Sequence, residues 1–132
     1  MRAGELAVLE VNWEERVLKR EISLSVHPFL HGLEGALDED FPEGVFNSKE
    51  DLLEGLGEFK KSRAKYLYVG AHGLRKQIFT PDHGIYSQTI IDACKGAGSR
   101  GKGYFFSACD FVNRKTALEF LTATKAEFIA GY

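Results

Sequence analysis

A regular exchange between two hydrophobic patterns constrains this chain more than any other feature. Short, nearly continuous apolar runs alternate with segments whose apolar residues recur at helical spacing. Leu6–Val11 reads as a strand, and so do Tyr66–Ala71, Tyr104–Ala108 and Glu127–Ala130. Gly44–Phe46 is a weaker fifth candidate, just ahead of a helix start. These runs are rich in β-branched or aromatic residues, and several lack polar alternation, as strands covered on both faces do. Between them, Pro28 suits a first helical turn, and Leu30, Leu33 and Leu37 follow at helical spacing. Ser48 with Asp51 has the pattern of a capping box and opens a helix carrying Leu52, Leu53, Leu56 and Phe59. Ser87 is expected to cap a helix through Ile90, Ile91 and Ala93 that ends in the glycines after Lys95. Asn113 is expected to cap another, carrying Ala117, Leu118 and Leu121.

The resulting order is β-α-β-α-β-(hairpin)-α-β-α-β. Such alternation calls for an α/β three-layer sandwich, a mostly parallel sheet with helices on both faces. The small hairpin insert runs through Gln77–Thr80 and Ile85–Tyr86, because Pro81-Asp82-His83-Gly84 between them is turn chemistry. A length of 132 residues holds one such domain, spanning 1–132, and no repeat or linker divides it. The text stops at Tyr132 directly after the last strand. An uncovered edge strand is an aggregation liability, so the expectation is either that a partner covers it or that the chain is a piece of something longer lacking C-terminal elements.

Composition narrows the function. Seventeen Lys+Arg against nineteen Asp+Glu leave a formal charge of -2, which gives no footprint for a nucleic-acid backbone or an anionic membrane. The densest basic group, Lys60, Lys61, Arg63 and Lys65, falls at an expected helix end, where cations are favoured. No run approaches the ~18 apolar residues that cross a bilayer, and the first residues lack the apolar core of a secretory signal. Two cysteines, Cys94 and Cys109, cannot make a secreted disulfide scaffold, so the reading is a reducing, cytoplasmic compartment. Cys94, in a helix after Ile90 and Ile91, is assigned to apolar contact.

Two glycine and histidine motifs are set aside. Gly96-Ala97-Gly98-Ser99-Arg100-Gly101 matches GxGxxG, and Gly96–Lys102 nearly matches a P-loop. Both work only after a strand and before a helix, whereas here the glycines follow a helix and precede a strand. Gly103 also stands where a P-loop needs Ser or Thr, so a flexible connection is expected and no nucleotide cofactor. His27 and His31 are four apart, but Pro28 lies between them and no Cys or catalytic Glu completes a zinc set, so no metal is expected. Asp38-Glu39-Asp40 reads as a solvated helix end or loop.

The sharpest signal is a pair. His72-Gly73 follows one apolar run at once, and Cys109 follows another. In an open α/β sheet, ligands bind outside the carboxyl ends of the strands, where a rigid base positions the chemistry. A hairpin and one crossover helix fill the interval, and a crossover of that kind makes the two strands neighbours ~4.8 Å apart. An ordinary thiol with pKa ~8.5 is only a few per cent thiolate at neutral pH, and an adjacent imidazole can deprotonate it, then protonate a leaving amine. The N–H groups of Gly73 and Cys109 can form an oxyanion hole, worth ~3 kcal/mol per donor. Alone, Cys109 reads as buried apolar contact and His72-Gly73 as a capped turn; their joint placement carries the functional reading.

These stretches, Tyr66–Gly73 ending in His-Gly and Tyr104–Cys109 ending in Ala-Cys, resemble the caspase-like superfamily of cysteine peptidases. The hairpin through Asp82-His83-Gly84 and the Ser87 helix look most like its bacterial CHAT branch, and Phe128–Tyr132 resembles the next core strand. The resemblance implies a sheet order of 2-1-3-4-5, usually with a sixth strand, and a cysteine endopeptidase of bacterial signalling or defence. It implies Cys109 as nucleophile, His72 as general acid/base, the amides of Gly73 and Cys109 as oxyanion donors, a peptide or protein substrate, and neither metal nor cofactor. Asp110, a like charge beside a thiolate, is read as receiving a basic side chain of the substrate. Two other readings stay open. One is a catalytically silent domain of this fold that self-associates or binds a partner through the edge Glu127–Tyr132. The other is a flavodoxin-like small-ligand or signalling domain, in which His72 and Cys109 do not meet.

Overall fold

The computed structural model describes residues 3–12, 31–35 and 41–131. His27, Pro28, Leu30, Leu37, Asp38–Asp40 and Tyr132 lie outside the described residues. Strands β1 (Leu6–Val11), β2 (Glu43–Phe46) and β3 (Tyr66–Gly70) are followed by three short ones, β4 (His72–Leu74), β5 (Gln77–Phe79) and β6 (Gly84–Tyr86). Strands β7 (Gly103–Ser107) and β8 (Phe128–Gly131) complete the set, with helices α1 (Lys49–Lys61), α2 (Ser87–Cys94) and α3 (Arg114–Thr124) between them. Among the described residues one sheet runs β2-β1-β3-β7-β8, every neighbouring pair parallel, and a second, antiparallel sheet runs β4-β5-β6. The fold is therefore α/β with a parallel main sheet.

Local chemistry explains most of these elements. Ser48 accepts from the Asp51 N–H at 3.1 Å and Glu50 and Asp51 fill the first turn, so α1 begins where its cap and its dipole agree. Asn113 caps α3 through the Thr116 N–H at 2.9 Å. Ser87 does not cap α2. It is the first helical residue, buried, with Tyr86 at the cap position making no side-chain bond, because the β6 strand runs straight into the helix.

Helices α1, α2 and α3 lie side by side on one face of the main sheet. Leu52, Leu56 and Phe59 of α1, Ile90 and Ile91 of α2 and Phe120 of α3 bury against Leu67, Val69, Tyr104 and Phe106. Phe120 rather than Leu118 anchors α3, and Leu118 is exposed, since the Asn113 cap sets the rotation that puts Thr116, Phe120 and Thr124 inward. The opposite face carries Val8 and Phe41 with Leu6, Leu33 and Tyr68. Aromatic pairs Tyr68–Phe105 and Tyr66–Phe128 stack across that face at 5.4 and 5.9 Å.

The glycine-rich connection is built rather than slack. Gly96 and Gly101 take positive φ of 107° and 76°, conformations open to glycine at little cost, and bracket a 3-10 turn over Ala97–Ser99. Ser99 is buried, its hydroxyl shared between the Cys94 carbonyl and the Tyr104 hydroxyl. Lys102 turns inward and donates to the carbonyls of Phe59, Ser62 and Ala64 at 2.7, 2.9 and 2.7 Å. Its ammonium thus joins the Ser62 donors on the Phe59 carbonyl and reaches the Ser62 and Ala64 carbonyls just past the helix, at the negative pole of α1. The lysine that imitates a phosphate-binding residue in sequence is committed to a helix terminus.

Candidate active site

The registers of β3 and β7 decide where the chemistry goes. Tyr66 pairs with Gly103 and Gly70 with Ser107, so both strands reach the carboxyl rim together. Beyond the ladder the chains stay joined: the Ala71 N–H donates to the Ser107 carbonyl at 3.0 Å, and the Lys76 N–H to the Asp110 carbonyl at 3.4 Å. Between these two bonds lie His72-Gly73 on one side and Ala108-Cys109 on the other.

Gly73 is where the two chains press hardest. A Cβ placed on it would stand 2.5 Å from the Cys109 carbonyl oxygen, 2.9 Å from the Ala108 carbonyl carbon and 3.0 Å from the Ala108 Cβ. Those neighbours are rigid backbone, so only a residue without a side chain fits. Such an approach, with standard chain dimensions, holds the α-carbons of His72 and Cys109 within ~10 Å of each other.

Side-chain alternation sets the direction of His72, and a turn sets that of Cys109. Ala71 and Ala108 pack into the core beneath the helices. Successive side chains along extended backbone leave on opposite faces, so His72 leaves on the face away from the helices, whereas Cys109 stands past the end of β7 in a turn. Both are exposed. Cys109 occupies a turn closed by the Phe111 N–H on the Ala108 carbonyl at 3.2 Å, with Asp110 at φ 56°. The bland reading of Cys109 as a buried apolar contact does not hold, since an exposed corner residue has no core to fill.

His72 belongs to a strand that sequence patterning missed. β4 pairs with β5 through a two-residue turn in which Arg75 and Lys76 have φ of 48° and 67°. Two consecutive positive φ values are the signature of a type I′ hairpin, a turn that Asn-Gly normally announces. Arg-Lys gives no such signal. The turn makes Leu74 and Gln77 a hydrogen-bonded pair, and alternation along an antiparallel ladder makes Gly73 and Ile78 a non-bonded one. The Gly73 N–H therefore points outward from the small sheet, away from β5.

Cys94 differs from Cys109 in its burial. It is fully buried, and loss of hydration pushes its thiol up to about 12, against a lesser opposing pull from the Tyr104 hydroxyl. Burial likewise raises Tyr104 above its ordinary value. Of the histidine pair weighed for zinc, His31 is exposed and bonded to Glu43 at 2.7 Å, which raises its pKa; His27 is outside the described residues. Among the described residues no group of three or more His, Cys, Asp or Glu is arranged to hold a metal. No helix among them is long and apolar enough to cross a membrane.

A cavity of about 180 Å³ opens at the other end of the sheet, between α1 and the β1–β2 edge, lined by Leu9, Pro42, Gly44, Gly55 and Phe59 among others. It lies at the amino rim, apart from the His72–Cys109 cluster. Compared with known proteins, the chain matches no family model and no curated sequence.

Proposed function

We propose that this chain is a cysteine peptidase of the caspase-like type, with Cys109 as nucleophile and His72 as general acid/base. One observation carries the reading: two chain segments leaving parallel strands are pressed together at Gly73 and Ala108-Cys109, with an exposed imidazole and an exposed thiol at the same rim. Counting the strands of the main sheet alone in chain order gives 2-1-3-4-5, the order the resemblance implies, and this supports the same reading.

The chemistry divides into two steps. His72 takes the Cys109 proton as the sulfur attacks the scissile carbonyl carbon, and the carbonyl oxygen becomes an oxyanion. The outward N–H of Gly73 and the N–H of Cys109 stabilise that charge by ~3 kcal/mol each when preorganised. Collapse expels the amine, which takes the proton from His72, and leaves a thioester on Cys109. His72 then deprotonates a water molecule that attacks the thioester, releasing the carboxylic acid and restoring the thiol.

Labelling with a thiol-directed electrophilic peptide tests this. The native protein is expected to be modified at Cys109, the Cys109→Ala variant not at all, and His72→Ala much more slowly. Equal labelling of all three proteins, or labelling at Cys94 alone, would sink the reading and leave the silent interaction domain in its place.

A further inference from the structure

The small sheet has two unlike faces. Its registers pair His72 with Phe79 and Phe79 with Gly84, then Leu74 with Gln77 and Gln77 with Tyr86. Directly opposed residues share a face, and so do residues two apart on one strand. One face therefore carries Gly73, Ile78 and Ile85, and both isoleucines are buried in the main core. The other carries His72, Leu74, Gln77, Phe79, Gly84 and Tyr86.

This second face is apolar where water favours polar groups. Leu74 is 53% exposed and Tyr86 62%, and Phe79 is half-buried. An antiparallel sheet ordinarily turns polar side chains to its wet side. Gly84 keeps the surface low: the Gln77 amide and the Phe79 ring lean into the space a side chain there would need, the ring carbon standing 3.1 Å from it. Leu74 lies about 7 Å along β4 from His72, two residues at the rise of extended chain. An apolar platform thus begins at the imidazole and extends across β4, β5 and β6.

One step of the proposed reaction brings substrate to this place. His72 gives its proton to the departing amine, so the nitrogen of the residue after the scissile bond lies against the imidazole during cleavage. The residues that follow the bond then run out over the strand and the face that carry His72. Resting on the peptidase reading, we infer that the platform receives an aliphatic or aromatic side chain from one of the first two residues after the scissile bond, with Leu74, Phe79 and Tyr86 as its contacts. The substrate is a peptide that is apolar on its leaving-group side.

A random peptide library, with cut positions read by mass spectrometry, locates bonds that the protein cleaves. Matched fluorogenic peptides built on one such site, carrying Leu, Ala or Lys at the two positions after the bond, then measure the preference. Leu is expected to raise kcat/KM roughly tenfold over Ala and over Lys. Leu74→Thr with Tyr86→Thr keeps strand-forming residues and should bring the Leu peptide down to the Ala rate. Leu74→Glu should turn the preference toward Lys, a reversal that loss of folding cannot produce. Leu118→Thr, at a similarly exposed position on α3, should change none of the rates. Cleavage indifferent to the residues after the bond overturns the inference while the peptidase reading stands, and a dimer that Leu74→Glu splits would then assign the platform to a second copy of the chain. A library left uncut overturns both.

Discussion

Replacing Gly73 with alanine perturbs the fold and the candidate chemistry together. The new methyl would meet the Cys109 carbonyl oxygen at 2.5 Å, where ordinary contact begins near 3.4 Å. The rim must open by on the order of 1 Å, since the opposing atoms are main chain and cannot rotate aside. Overfilling of this kind costs about 1–3 kcal/mol, which for a domain of this size lowers Tm by roughly 3–12 °C. Backbone conformation adds nothing to that figure, as Gly73 is not among the residues with positive φ. An ångström of displacement between His72 and Cys109 also slows Cys109 labelling, by up to ~100-fold. Gly57→Ala is the matched control: it lies inside α1 with nothing within 4 Å of an added methyl, so helix propensity predicts a gain of about 0.5–1 kcal/mol. Urea melts of both variants and labelling rates of the first provide the measurements. A Gly73→Ala protein as stable and as reactive as the native one would refute the claim that the strand ends are pressed together.

The two thiols should separate cleanly: at pH 8 a chromogenic disulfide is expected to titrate Cys109 alone in the folded protein and both cysteines after denaturation. Because folding raises the Cys94 pKa from 9.0 to about 12, the folded state holds that proton more tightly, so its contribution is intact below pH 9 and is lost as pH climbs toward 12. Urea midpoints measured between pH 8 and 11 should fall, and fall less in Cys94→Ala once its own lower starting stability is subtracted. Lys102→Met removes three bonds to carbonyls at the end of α1 and is expected to cost about 3 kcal/mol or more in urea unfolding. Arg75→Asn with Lys76→Gly, by contrast, should stabilise the protein by about 1 kcal/mol in the same assay, as the left-handed strain is relieved.

The elements that could be read beforehand are those whose reasons are local. Leu6–Val11 is a strand with the expected ends, because a run of β-formers needs no distant partner to be recognised. Ser48 and Asn113 cap as their positions suggest, since a cap and the N–H it serves lie three residues apart. The strand ends drift by a residue elsewhere, as at β7, which begins at Gly103 rather than Tyr104 because the Gly103 N–H bonds to the Lys65 carbonyl. Ser87 misleads for the same kind of reason. A serine before an apolar stretch looks like a cap whether or not a strand already supplies the entry into the helix.

Local sequence therefore settled which segments alternate and which two residues end adjacent-looking strands, for those are matters of pattern within a few residues. Contact between distant segments decided the rest. Nothing near Lys102 in sequence says that its ammonium will meet Phe59, Ser62 and Ala64, and nothing in Arg75-Lys76 announces a left-handed turn. Gly73 reads as one more flexible residue until the Ala108-Cys109 backbone is laid against it. Steric exclusion and long-range hydrogen bonding act through space, so their consequences exist only once the chain has closed on itself.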